Sequence, residues 1–187
     1  MPEEISRRQR TDAARNADAL LTAAKAVFAS SGVDAPAKEI AERAGVGVGT
    51  LYRHFPKRAE LVAAVLQHEI DACADAGPEL AARNAPTAAL EKWLVRFTEF
   101  VGTKRGLAAA LHSGDPAFDS LPDYFTRRLQ PALDALLAAA QATGEVRADV
   151  SATDLLHAVP LLCQPVRGED FAYNRRMVAV LVAGLRA

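Results

Sequence analysis

The chain is poor in most of what signals catalysis, metal binding or a membrane. It has two cysteines in 187 residues, Cys73 and Cys163, in neither a CxxC nor a metal-ligand pattern. Two free thiols in a reducing compartment are expected. No apolar run reaches the ~18 residues that a membrane span needs. The opening "MPEEISRRQRTDAARN" has basic residues with no apolar stretch behind them, which argues against a secretory signal. A cytoplasmic chain without a membrane partner is expected. There is no GxSxG elbow, paired-carboxylate arrangement or ligand cluster to support an enzyme. His68 and Cys73 stand five apart, about 140° round a helix, and cannot chelate one ion from it. Neither a metal nor a cofactor is expected.

What is present points to helices. The chain is 50% hydrophobic, enough for a sizeable core. Only 6% is aromatic, alanine is abundant and β-branched runs are scarce, a balance that favours helix over strand. Ala17, Leu20, Leu21, Ala24, Val27, Phe28 and Ser31 recur at helical spacing up to Gly32. A short helix follows from Pro36 to Ala44, and Phe55-Pro56 marks a later break. From Arg58, the set Leu61, Val62, Val65, Leu66 and Ile70 predicts a longer helix that runs out before Gly77-Pro78. Further helices are predicted around Leu90 to Val101, Leu107 to His112, Leu121 to Ala142, Thr153 to Cys163 and Phe171 to Leu185. Ser151-Ala-Thr-Asp154 has the form of a capping box. The fold class is all-α, about nine helices, with no strand and no repeat.

Net charge is −1, but it is unevenly spread. Residues 1–58 hold ten Lys and Arg against seven Asp and Glu; the remainder holds twelve against sixteen. A basic front on an acidic body hints at a polyanionic partner for the first third.

The stretch "AGVGVGTLYRHF", residues 44–55, decides between two kinds of protein. Gly45, Gly47 and Gly49 could cradle a phosphate or join two helices. A dinucleotide fingerprint would need glycine at position 50, which is Thr50, and a preceding strand, where the helix "AKEIAERA" stands instead. No Gly-Lys-Ser/Thr follows. The helix-joint reading accounts for the residues. Ile40 and Ala44 face inward, Ala41 is small at a crossing, and Gly45 can take the left-handed turn. Gly47 serves as N-cap, and Leu51 and Phe55 anchor the second helix. Its exposed face is then Val48, Gly49, Thr50, Tyr52, Arg53 and His54. Gly49 inside a helix costs ~1 kcal/mol relative to alanine, and a close approach to DNA would be a reason to tolerate it. The pattern is a helix-turn-helix dimensioned for a major groove.

"AKEIAERAGVGVGTLYRHFPKRAELV" resembles the DNA-binding signature of the TetR family of bacterial transcriptional regulators. The specific part is Ile40-Ala41, Ala44-Gly45-Val46, Thr50-Leu51-Tyr52 and His54-Phe55, and the resemblance spans residues 12 to 70. It implies a helix-turn-helix domain over residues 12–58 and a helical effector-binding and dimerisation domain over 59–187. Tyr52, His54 and Arg58, aided by Lys57, would meet phosphates. Val48, Gly49, Thr50 and Arg53 would meet base edges beside Gly47, with Arg53 suited to a guanine. Arg43 would touch bases or backbone. Two departures stand out: Ala35-Pro36 replaces the usual Ser or Thr cap of helix 2, and Lys57 replaces a Ser-like cap of helix 4. Arg7, Arg8 and Arg10 could enter a minor groove or form a solvated tail.

The expected function is a homodimeric transcriptional regulator, a repressor of a double-stranded, palindromic operator released by a small-molecule effector. An all-α enzyme and an effector-free architectural DNA-binding protein stand as alternatives. In this family the middle helices surround a ligand cavity, so Trp93, Phe97, His112, Tyr124 and Gln164 are candidate lining residues. A wall of Trp93 and three phenylalanines between positions 93 and 118 would suit a mostly apolar, aromatic or polycyclic molecule. The last two helices carry Leu155, Leu156, Val159, Val178, Leu181 and Val182, expected to build a two-fold four-helix interface.

Overall fold

The computed structural model describes residues 2–105 and 107–187, with the side chains of residues 2–14, 104, 105, 108 and 109 outside the described set. Nine α-helices occur among the described residues: α1 (Pro2–Ser31), α2 (Ala37–Ala44), α3 (Val48–His54), α4 (Arg58–Arg83), α5 (Pro86–Arg105), α6 (Ala108–Leu111), α7 (Leu121–Gln141), α8 (Ala152–Leu162) and α9 (Phe171–Ala183). A 3-10 turn, Pro116–Phe118, precedes α7. All but the four-residue α6 span seven residues or more. No strand forms among the described residues; Val146 and Arg186 make one isolated antiparallel bridge.

The chain divides into two compact units. The first comprises residues 1–68 with 106–119, and the second 69–105 with 120–187. In the first, α1 packs on α2 and α2 on α3, with Leu20, Ala24, Val27, Ile40, Ala41 and Leu51 buried. Arg7, Arg8 and Arg10 lie outside the described side chains.

In the second unit α5 lies against α7, α8 and α9, and α8 packs on α7 and α9. The core joins Trp93, Leu94 and Phe97 of α5 to Leu129, Leu133 and Leu137 of α7 and to Leu155, Leu156 and Val159 of α8. Trp93 and Phe97 stack with ring centroids 5.4 Å apart, and Phe97 meets Phe100 at 6.2 Å and Phe125 at 5.9 Å. Phe118, counted with the aromatic wall in the sequence, belongs to the other unit. The Phe171 ring lies so close to α5 that a Cβ on Gly102 would sit 2.5 Å from its Cζ. The capping box at Ser151 and Asp154 forms, the hydroxyl accepting from the Asp154 amide and the carboxylate from the Ser151 amide.

Two features depart from the sequence expectation. First, α4 does not stop before Gly77-Pro78 but continues to Arg83 with Pro78 inside it. Proline cannot donate to the Ala74 carbonyl and its ring crowds that turn. Just before that turn, α5 grips the helix: Trp93 Nε1 donates to the Cys73 carbonyl at 2.8 Å and Arg96 Nε to the Ala72 carbonyl at 3.1 Å. Tertiary contacts on the residues before Pro78, Cys73 and Ala74 among the buried ones, accompany the continued helix. Second, Leu155, Leu156, Val159 and Val178 are buried in their own unit's core, so a single copy does not leave them wet. The exposed apolar residues of this region are Leu161, Val166 and Val180.

Candidate DNA-reading helix and effector region

The turn between α2 and α3 is fixed by Gly45, whose φ of +71° is one that side-chain-bearing residues rarely take. Its amide donates to Glu42 O at 3.1 Å and the Val46 amide to Ala41 O at 3.0 Å, closing the end of α2. Gly47 is the extended N-cap of α3, and its carbonyl accepts from the Thr50 amide at 2.8 Å. Leu51 plugs α3 into the core. With that side down, Gly47, Gly49, Tyr52, Arg53 and Lys57 are exposed, as is Arg43 at the end of α2, while Val48, Thr50, His54 and Arg58 are half-buried. A Cβ added at Gly49 would meet nothing within 4 Å, so no packing inside the protein requires glycine there.

The two missing caps are handled differently. Pro36 precedes α2 with no side-chain cap at all. At α4, the Glu60 carboxylate accepts from the Lys57 amide at 3.3 Å, the returning half of a capping box. Arg58 is turned inward: its guanidinium donates to the Ala35 carbonyl and lies 5.4 Å from the centre of the Phe28 ring. That ties the start of α4 to α1 and to the loop before α2. Arg53 lies back along α3, bonded to the Gly49 carbonyl and the Thr50 hydroxyl.

The five residues singled out for an effector are divided between the two units. Trp93 and Phe97 share the aromatic block, both fully buried. Tyr124 packs against the core that holds them, and its hydroxyl donates to Asp71 at 2.7 Å. Burial first, then that carboxylate, pushes the Tyr124 phenol above its ordinary value. Gln164 is exposed and donates to the Pro160 carbonyl at 3.2 Å. His112 is exposed in the other unit.

Sequence reasoning missed the company that Tyr124 keeps. Arg128, one turn further on α7, donates to Asp71 at 2.6 Å and to Asp75 at 2.9 Å, so two i,i+4 pairs clasp α4 to α7. The paired carboxylates raise the Arg128 pKa. The matched spacing was readable in each helix, but nothing in the sequence says that they face one another. It also missed a groove of about 620 Å³ between α5 and α9, lined in part by Val95, Thr98, Val178 and Val182. The ion pairs Arg175–Glu99 and Arg186–Glu91 also line it. Among the described residues no three His, Cys, Asp or Glu side chains gather to hold a metal ion, and no helix is long and apolar enough to cross a membrane.

A helix-turn-helix carried on an all-helical body defines a DNA-binding regulator. Comparison with known proteins agrees. The family model described as bacterial regulatory proteins, tetR family, matches residues 20–65, and that of the SbtR-like transcriptional regulator C-terminal domain matches residues 85–187. A TetR transcriptional regulator of Streptomyces coelicolor is similar in structure, with a TM-score of 0.76, 36% identity and coverage of 91% of this chain and 98% of that one. A TetR regulatory protein of Mycobacterium vanbaalenii gives 0.74 and 35%, over 96% and 99% of the two chains. An HTH-type transcriptional regulator of Staphylococcus aureus is 31% identical over 105 residues; the match spans 54% of each chain, about half the length of that relative. The chain belongs to the TetR family of transcriptional regulators, DNA-binding proteins and not enzymes.

Proposed function

We propose that the chain is a cytoplasmic, homodimeric repressor whose paired α3 helices read the two halves of a palindromic operator. A small, mostly apolar effector releases it. The observation that carries the reading is the exposed side of α3, where Gly49 is kept bare although the fold has room for a side chain. The first unit reads DNA, and the second dimerises and binds the effector. In this reading Tyr52, His54 and Lys57 hold phosphates, Arg43 assists, and Val48, Gly49 and Arg53 meet bases. Arg58, bonded to Ala35, supports the reading head from behind.

The effector enters at the aromatic block around Trp93 and Phe97. The rings are closed on one another, so a ligand must exchange ring–ring for ring–ligand contacts, which favours an aromatic or polycyclic molecule. To act, it must bind the DNA-incompetent state more tightly. Linkage requires operator DNA to weaken the effector by the same factor, ~5–150-fold in common cases.

Selection of bound DNA from a random pool gives the operator, and two substitutions then test the roles. Arg53→Ala is expected to cost ~1–3 kcal/mol and relax preference at one position per half-site, whereas Tyr52→Phe weakens all sequences alike. Base preference altered by Tyr52→Phe and untouched by Arg53→Ala would reverse the assignment. Gly49→Ala should separate folding from binding. Thermal unfolding should show a gain of ~1 kcal/mol from helix propensity, while gel-shift titration shows weaker operator binding. An alanine that binds DNA as well as glycine removes the reason offered for Gly49.

A further inference from the structure

We propose that Thr50 is a positioning residue for base recognition: its hydroxyl fixes the Arg53 guanidinium and does not itself hold the DNA. The inference rests on the helix-turn-helix reading above. Arg53 Nη2 donates to Thr50 Oγ1 at 3.0 Å, and Arg53 Nε to the Gly49 carbonyl at 3.2 Å. A guanidinium has five N–H donors in a rigid plane, and Nε with Nη2 forms one of its edges. With that edge anchored, the terminal edge of Nη1 and Nη2 remains, and two parallel N–H groups match the O6 and N7 acceptors of guanine.

The anchoring matters because an exposed arginine otherwise has many rotamers to lose on binding, and a side chain already ordered loses fewer. Of the two anchors, only Thr50 can be varied, since the Gly49 carbonyl is backbone. Thr50 is half-buried, and of the two χ1 rotamers open to a helical threonine it holds the one whose oxygen meets Arg53 Nη2. Valine reproduces that shape without the acceptor, and serine keeps the acceptor without the branch.

The test uses the full chain and a selected operator, with every base pair of one half-site varied in turn. Thr50→Val, Thr50→Ser, Arg53→Ala and Thr50→Val/Arg53→Ala are compared on these duplexes and on an unrelated one. Thr50→Val should cut the preference for the base read by Arg53 about three- to tenfold, the effect of one lost hydrogen bond. Affinity for the unrelated duplex and its salt dependence should not move, which also shows that the variant is folded. Thr50→Ser should retain the preference, and Thr50→Val should add nothing once Arg53 is alanine. A uniform loss on all duplexes with a shallower salt slope makes Thr50 a phosphate contact and overturns the proposal. So does full additivity with Arg53→Ala, or a preference lost at some other base pair. If Arg53→Ala relaxes the preference and Thr50→Val does not, the positioning role alone falls. If Arg53→Ala leaves every preference intact, the assignment of α3 falls with it.

Discussion

Trp93→Ala should cost about 3–5 kcal/mol, the range for removing a large buried aromatic side chain. Trp93 is fully buried, stacks on Phe97 and sends its indole N–H to the Cys73 carbonyl. Its loss opens a cavity in the aromatic block and removes a donor beside the proline-weakened turn of α4. With total stabilities of ~5–15 kcal/mol, that is enough to unfold a large part of the second unit at working temperature. Trp93→Phe separates the contributions, keeping most of the ring contact and losing the hydrogen bond, for about 1–3 kcal/mol. Trp93 is the one tryptophan of the chain, so far-ultraviolet circular dichroism in urea is the suitable measurement. Equal midpoints for wild type and Trp93→Ala would show that the block is not a keystone.

The second large effect concerns assembly. Leu161 and Val180 are 71% and 65% exposed, on α8 and α9, which pack side by side. On the dimer reading proposed above, these exposed apolar side chains are the ones that an isologous contact between two copies would cover. Leu161→Glu with Val180→Glu should give monomers in sedimentation experiments. Affinity for the full operator should drop about 10²–10⁴-fold, because linkage of the two heads is lost, with half-site affinity unchanged. Leu181→Glu is a poorer probe, since Leu181 packs partly against its own unit's core and its charge would disturb folding as well. A doubly charged variant that stays dimeric and binds the full site tightly refutes this interface.

Local rules made the first unit legible. Gly45 announces a left-handed turn, Leu51 an inward anchor and Pro56 a stop, and each follows from backbone sterics or from spacing within a dozen residues. The aromatic stripe Trp93, Phe97 and Phe100 was equally readable as helix. What it packs against was not, because Phe125 lies on another helix and no periodicity reports tertiary neighbours. Pro78 misled for a related reason: the side chains that grip α4 just before it, Trp93 and Arg96, come from α5. In α8 and α9 the difficulty was excess. Apolar residues lie on more than one side, so the sequence put Leu155 and Val178 at a partner's surface and passed over Leu161 and Val180. Only burial tells them apart.

The cysteines acquire a use from their surroundings. Cys73 is buried in the core that holds Trp93, and burial pushes its thiol up to about 12. At neutral pH the thiolate that alkylating reagents and peroxides attack is therefore scarce. Cys163 is likewise buried, at the end of α8. Modification must wait for the surrounding helices to part, so labelling rates followed by mass spectrometry measure how often the second unit opens. The two native thiols form a clock for breathing motions, and the same rates timed with and without a bound molecule would register its grip on the helical body.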